Sequence, residues 1–322
     1  MRYAAIDAPG PESRIIIKEQ ETPQYHKDQL LVRVKAAGLN RADLMQRQGK
    51  YPPPPGESNI PGLEIAGEVV EIGSHVKQFS VGDRVYGLVG SGGYAEYCCL
   101  NQSLAAPIPK GWEFSDAAAI PEALVTAHAT VFLLGHLNQS QTMLIHAAGS
   151  GISSFAIQMA RHIGAKVLTT ASTQEKIDKA LQLGATKVIN YKSEDFYTLI
   201  ESNSINLIVD FIGGDYFEKH LELLQTKGRL VQISCMQGAK VDFNLVTLIR
   251  KRLQLIGFVL RAQSINEKAA LWKSTQMHWA TALLNKHIVP IIDSEFSFSD
   301  IEQAHARMQS REHFGKIVIR MD

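Results

Sequence analysis

The chain has 322 residues, a formal net charge of +1 and three cysteines. At ~100–200 residues per domain, this length points to two domains with sizeable cores. A hydrophobic content of 45% with 20% charged residues is wrong for a disordered chain, and 33 basic against 32 acidic residues argue against a general nucleic-acid binder. Cys98, Cys99 and Cys235 are too few for a disulfide framework or a four-cysteine zinc site. Met1–Asp7 lacks the apolar stretch of a secretory signal, and no run approaches the ~20 apolar residues of a membrane-spanning helix. The expectation is a soluble, cytoplasmic protein.

Residues 1 to about 110 alternate short β-branched runs with glycine and proline turns. Arg14–Lys18, Gln29–Lys35, Glu64–Val70 and Arg84–Leu88 read as strands of a partly closed barrel. One helix is predicted from Arg41 to about Gln48, and the proline run Tyr51–Gly56 that follows must be loop. If Cys98 and Cys99 lie on a strand, their side chains take opposite faces. From about residue 122 the rhythm becomes strand, helix, strand. Strands are predicted at Thr142–His146, Lys166–Thr170, Lys187–Asn190, Asn206–Asp210, Arg229–Ile233 and Gln254–Phe258. Helices are predicted at Ile152–Ile163, Gln174–Leu183, Tyr216–Gln225 and Leu245–Lys251. Such alternation implies right-handed βαβ units and a mainly parallel sheet. Gly164-Ala165 and Gly184-Ala185 fit helix C-caps. A helix at about Asn266–Lys286 follows, then a helix around Asp300–Gln309 and a strand at Lys316–Arg320, which returns to the first domain. The expected division is 1–121 with 287–322, and 122–286.

The sharpest local signal is Thr142–Ser154, a strand running through Ala147-Ala148-Gly149-Ser150-Gly151-Ile152 into a helix. Small side chains let a pyrophosphate approach the backbone, where the helix N-terminus offers N–H donors and partial positive charge. Three residues after Gly151 stands Ser154, so the fingerprint is degraded, and the surrounding βαβ pattern carries the dinucleotide reading. An NAD site presents an acidic residue about 20 residues on. Here that strand ends Leu168–Thr173 with no acid, and Ser172 and Lys176 suit a 2′-phosphate. Glu175 is the one nearby carboxylate able to reach a ribose. NADPH is the predicted cofactor.

At this point the residues resemble a family. Ala36–Asp43, Pro61–Gly67, Val81–Val85 and Ala147–Ile152 look like the medium-chain dehydrogenase/reductases. Asn40–Tyr51 with its prolines, and Gly315–Val318, resemble the zeta-crystallin-like quinone oxidoreductases, especially the tumour-suppressor-inducible quinone reductase branch. The resemblance spans essentially the whole chain. It implies an α/β protein, a GroES-like β-barrel domain plus a Rossmann domain with a doubly wound parallel sheet. It also implies metal-free hydride transfer from NADPH to a small quinone in the interdomain cleft. Zinc members place Cys at the position of Asn40 and His at that of Leu63, and neither residue here is a plausible zinc ligand. Among implied catalytic residues, Asn40 lies near the nicotinamide, Tyr51 at the mouth of the quinone pocket and Thr126 against the nicotinamide face. Ala148, Gly149, Ser150, Gly151 and Ile152 hold the pyrophosphate. Ser172, Lys176 and Tyr191 hold the 2′-phosphate. Ile212, Gly213 and Cys235 line the cofactor's middle, Phe258 and Leu260 flank the nicotinamide, and Lys316 completes the set. Ser153 and Phe155 depart from the family's glycine and small residue. A homodimer is implied, its subunits joined through the edge strand Gln254–Phe258.

Plainer roles stand beside these. Asn40 suits the cap of the helix at Arg41, Tyr51 an exposed loop, and Tyr191 simple packing. His146 reads as an internal histidine, Cys235 as a loop residue acting through its backbone, and Arg250-Lys251-Arg252 as a solvated helix end. No histidine shows metal-ligand or triad spacing, and no general acid is evident; water or Tyr51 would supply the second quinone proton. Two other functions compete with this one: reduction of activated C=C bonds in enones or 2-enoyl thioesters, and a non-catalytic NADPH-binding structural or RNA-associated role.

Overall fold

The alternating runs near the N-terminus become strands. In the computed structural model, which describes residues 1–321, these are β1 (Arg2–Asp7), β2 (Arg14–Glu19), β3 (Gln29–Leu39), β4 (Glu64–Ile72), β5 (Arg84–Leu88), β6 (Tyr97–Asn101) and β7 (Ala105–Pro107). β3 is the longest, and its odd and even faces are both largely buried, as befits a central strand. Between β3 and β4 lies helix α1 (Arg41–Arg47), and after β7 come the short α2 (Phe114–Ala118) and α3 (Pro121–Ala127). Neither α2 nor α3 was expected. Both are rich in alanine and too short for an apolar period to show. α3 runs on into a π-helical turn, His128–Leu134. In β6, Cys98 is buried and Cys99 partly exposed, on opposite faces as the alternation requires.

The next elements alternate as predicted, with one short helix, α6, that was not expected: β8 (Thr142–Ile145), α4 (Gly151–His162), β9 (Lys166–Ala171), α5 (Gln174–Leu183), β10 (Lys187–Asn190), α6 (Phe196–Leu199), β11 (Ile205–Asp210), α7 (Tyr216–Leu223), β12 (Leu224–Gln232), α8 (Leu245–Lys251) and β13 (Gln254–Gly257). The six strands lie in the order β10-β9-β8-β11-β12-β13, every neighbouring pair parallel. This is a doubly wound sheet whose strand order reverses between β8 and β11. β12 begins five residues earlier than the sequence suggested, because Leu224 pairs with Ile205 before a register shift. The expected caps form: Gly164 donates to Arg161 and Gly184 to Leu181. Leu144, Ile208, Leu221, Leu230 and Phe196 join in one buried apolar cluster of this sheet.

α9 (Ile265–Leu284), β14 (Ile292–Ser297), α10 (Ile301–Ser310) and β15 (Lys316–Arg320) close the chain. β15 pairs antiparallel with β3, Ile317 opposite Leu39, so the C-terminus returns to the first sheet, whose order is β14-β15-β3-β4-β5-β7 with β6 also on β3. β14, partly exposed and interrupted by charge, was missed in the sequence. The chain forms two compact units. One is Met1–Val125, Arg261–His278 and Pro290–Asp322; the other is Thr126–Leu260 and Trp279–Val289. Residues 261–278 thus group with the first unit, where the sequence pattern had put them in the second.

Candidate functional site

In the first unit, β3 ends at Leu39 and the chain turns into α1 through Asn40. The Asn40 N–H donates to Oδ2 of Asp43 at 2.8 Å, one half of a helix-capping exchange. The Asn40 side chain is not spent on the cap. Its Nδ2 donates to Oε1 of Glu64 at 2.8 Å, and its Oδ1 accepts from Nζ of Lys316 at 2.7 Å. Lys316 also donates to Oε1 of Glu64 at 2.6 Å and to the Leu39 carbonyl at 2.8 Å, so all three ammonium donors are used. Both charged groups are buried, Glu64 at 0% and Lys316 at 3% exposure. The second oxygen of Glu64 accepts the Glu122 N–H at 2.8 Å. Gly38 makes room for this pair: a Cβ there would collide with Oε1 of Glu64. Burial and the charge of Glu64 push the Glu122 carboxyl up to about 8. Asp43 is fully buried and raised by that burial, though Tyr94, Asn40 and Gly62 all donate to it.

Tyr51 lies on the proline loop, its ring beneath the Arg261 guanidinium at 5.3 Å. Arg261 donates to the Tyr51 carbonyl at 3.2 Å, to Oε1 of Gln46 at 2.8 Å and to the Gly90 carbonyl at 3.2 Å. It ties the loop to α1. Burial pushes the Tyr51 hydroxyl up, so it is a proton-bearing donor at neutral pH.

In the second unit, β8 ends in a turn of small residues. Ala147 has φ +55°, and Ser150 caps α4, its Oγ accepting the Ser153 N–H at 3.0 Å. Ser153, placed where the family's turn has glycine, donates through Oγ to the His146 carbonyl at 2.9 Å and so braces the turn from inside. Phe155 is fully buried on the core side of α4. Gly149, Ser150, Gly151 and Ile152 are partly exposed at the helix start, and Ala148 is buried. They follow the carboxyl end of β8 at the strand-order reversal, the place where doubly wound sheets bind dinucleotides.

Beyond β9, Ser172 and Lys176 are partly exposed, Lys176 in the first turn of α5. Glu175 is paired with Lys179 at 2.6 Å, which turns it along the helix. Tyr191 is exposed, and its N–H bonds to the Ala171 carbonyl at 3.1 Å, bringing it to the end of β9. Asp210 ends β11 and accepts the N–H groups of Ile212 at 2.6 Å and Gly213 at 3.1 Å. Gly213 has φ +64°, and a Cβ there would lie 2.6 Å from the Gly238 carbonyl. Only glycine fits. Cys235 is exposed in the facing loop. Phe258 and Leu260 are buried just after β13, and Thr126 is buried at the end of α3.

Two family models match the chain. The alcohol dehydrogenase GroES-like domain matches residues 26–110, and the zinc-binding dehydrogenase family matches residues 151–275. A quinone oxidoreductase-like protein 2 homolog of Nematostella vectensis is 31% identical, over 98% of this chain and 88% of its own. The chain belongs to the quinone oxidoreductase-like family of medium-chain dehydrogenase/reductases. Quinone oxidoreductase 1 of Escherichia coli is 29% identical, over 88% of this chain and 89% of its own. The structure of an E. coli quinone oxidoreductase complexed with NADPH superposes with a TM-score of 0.87 at 27% identity, covering 99% of each chain. The first unit thus contains the family's GroES-like domain, and the second is its Rossmann-type domain.

For this family member the structure brings Asn40 and Lys316 together, and it gathers Ala148–Ile152, Ser172, Lys176, Tyr191, Ile212 and Gly213 at or beyond the carboxyl ends of one sheet. One sequence expectation is corrected. Arg250 and Arg252 are exposed as expected, but Lys251 is partly buried: its Nζ donates to the carbonyls of Leu221, Glu222 and Leu224, capping the end of α7. Three residues were missed as parts of the site. Glu64 holds Asn40, Arg261 holds the Tyr51 loop, and His220 meets His146 across 74 residues of chain. The first stood in the Pro61–Gly67 motif and Arg261 at the end of the Phe258–Arg261 segment that the resemblance places beside the nicotinamide; for His220 the sequence carries no signal.

Proposed function

We propose that the chain is an NADPH-dependent oxidoreductase that passes hydride to a small quinone without a metal ion. The observation that carries this reading is the strand-order reversal between β8 and β11, with its small-residue turn, its capped helix and a neighbouring strand that ends without a carboxylate. The residues fit a dinucleotide: the turn is narrow, and the Gly213–Gly238 approach leaves no side chain in the way. When bound, NADPH supplies the hydride. Backbone N–H groups at Gly149–Ile152 would hold its pyrophosphate. Ser172 and Lys176, with Tyr191, would hold the 2′-phosphate, while Glu175 is occupied by Lys179. The NADPH named in the E. coli relative supports the same choice.

In the first unit, Lys316 and Glu64 fix the Asn40 amide in one orientation, which suits a group that must position reactants. The zinc positions of the superfamily hold this committed amide and the buried, apolar Leu63, a donor set that does not suit zinc. Quinone reduction needs no Lewis acid, because aromatisation drives hydride acceptance. Tyr51 keeps its proton at neutral pH and can hydrogen-bond a quinone oxygen. The subunits pair through β13, the sheet's edge strand, beside which Leu245, Val246 and Ile249 of α8 are exposed.

The deciding experiment follows NADPH oxidation against quinones, enones and 2-enoyl thioesters, with and without a chelator. Quinone turnover unchanged by chelation is the expected result; turnover of enoyl thioesters alone would overturn the reading. Lys176→Ala should weaken NADPH binding about tenfold and leave NADH binding unchanged. Equal losses would remove Lys176 from the 2′-phosphate. Sedimentation giving only monomer would refute the dimer.

A further inference from the structure

A buried polar chain crosses the second unit at the point where the strand order reverses. His146 directly follows β8, Thr170 is near the end of β9, Asp210 ends β11, and His220 lies on α7. All four are 3% exposed or less. Nε2 of His146 lies 2.8 Å from Nε2 of His220, and Nδ1 of His146 lies 3.1 Å from Oγ1 of Thr170. Nδ1 of His220 lies 3.4 Å from Oδ2 of Asp210. At the other end, the Ala147 N–H points to Oγ1 of Thr170 at 3.4 Å. Phe196 and Tyr216 pack on the His146 ring, with centroids at 5.0 and 5.2 Å, and keep the chain dry.

The Asp210 charge orients the ring that faces it. Burial pushes the Asp210 carboxyl up, but His220 and the Ile212 N–H outweigh it and hold the group below its usual range, so it is an anion. At 3.4 Å, outside hydrogen-bond geometry, that anion still favours hydrogen on the facing Nδ1 of His220 by charge. In the tautomer set that links all four groups, Nε2 of His220 accepts from Nε2 of His146. Nδ1 of His146 is in turn an acceptor for the Thr170 hydroxyl. Burial and the neighbouring His220 ring push His146 down to about 3, so the His146 ring is neutral at neutral pH. Both ends of the chain grip backbone. Asp210 holds the Ile212 and Gly213 N–H groups, and Thr170 receives Ala147, the first residue of the small-residue turn.

We propose that the Asp210–His220–His146–Thr170 chain is a positioning device for the dinucleotide, with His220 as the link that locks the Ala147–Gly151 turn to the Ile212–Gly213 loop. This rests on the reading that the second unit binds a nicotinamide dinucleotide. Neither histidine touches the cofactor in this scheme. Each acts through a loop on one side of the strand-order reversal, and the pair makes the two loops one rigid frame.

The test measures NADPH binding by fluorescence on the full chain, with thermal melts and histidine nitrogen–proton spectra alongside. Wild type should bind NADPH, with hydrogen on Nδ1 of His220 and on Nε2 of His146. His220→Leu should raise the Kd about tenfold. His220→Gln, whose amide can donate to Asp210 and accept from His146, should stay within about threefold of wild type. Leu223→Ala, a fully buried neighbour on α7, should lower the melting temperature without changing the Kd. An unchanged Kd in a folded His220→Leu would overturn the proposal, as would an equal rise in Leu223→Ala. If wild type binds neither NADPH nor NADH, the dinucleotide reading itself fails, and this proposal with it.

Discussion

Each unit buries one polar network, and the two solve the problem of burial differently. In the first, a full ion pair, Glu64 and Lys316, is buried with Asn40, and every ammonium donor and both carboxylate oxygens have partners. In the second, a neutral His146 bonds His220 and Thr170, and His220 faces the Asp210 carboxylate at 3.4 Å. A buried charge demands complete coordination, because each ion loses several kcal/mol of hydration. A neutral imidazole chain demands only that each tautomer agree with the next. The first network therefore holds one side chain, Asn40, in one orientation. The second ties distant backbone segments together.

The largest effect should come from breaking the charged network. Lys316→Met leaves Glu64 buried and unpaired, and should cost about 3–5 kcal/mol in urea unfolding. The double variant Lys316→Met, Glu64→Gln should recover much of that loss. A double variant as unstable as the single one would show that the charge is not the cause.

A second measurement concerns Glu122, which burial and the nearby Glu64 charge raise from 4.5 to about 8. A carboxyl with a raised folded-state value binds its proton more tightly when folded. It therefore destabilises the fold as pH rises from about 4.5 through 8. Glu122→Gln, which never ionises, should match wild type at the acid end of this window and exceed it at the alkaline end, by a few kcal/mol at most. A constant difference across the window would exclude this linkage.

The smallest effect sharpens the contrast between the networks. His305 in the first unit is as buried as His146, yet neither ring nitrogen has a hydrogen-bond partner among the described residues. Burial pushes it down to about 4, with Arg47 assisting. Its folded value is depressed, so its cost appears as pH falls below about 6.5 and grows toward 4. His305→Leu should gain about 1 kcal/mol at neutral pH and flatten the acid limb of the stability profile. A loss of stability at all pH values would instead give His305 a packing role that leucine cannot fill.

Much of this was legible in the sequence because it is local. Ser150 caps its own helix, the glycines after α4 and α5 end them, and β-branched runs make the parallel strands. The short, alanine-rich α2 and α3 were not legible, having too few turns to show a period. Nor was β14, whose exposed and charged residues hide its alternation. Lys251 read as solvated because nothing near it in sequence reveals the carbonyls of α7 that it caps.

By itself, the sequence determined the two-domain α/β class, the small-residue turn and the absence of an acid after β9, since each depends on a contiguous stretch of chain. The tertiary structure alone decided which polar groups meet. Lys316 reaches Asn40 across 276 residues, and His220 reaches His146 across 74. Burial then fixed their roles: away from water a charge must be fully coordinated and an imidazole must settle into one tautomer, and neither constraint is written in any local pattern.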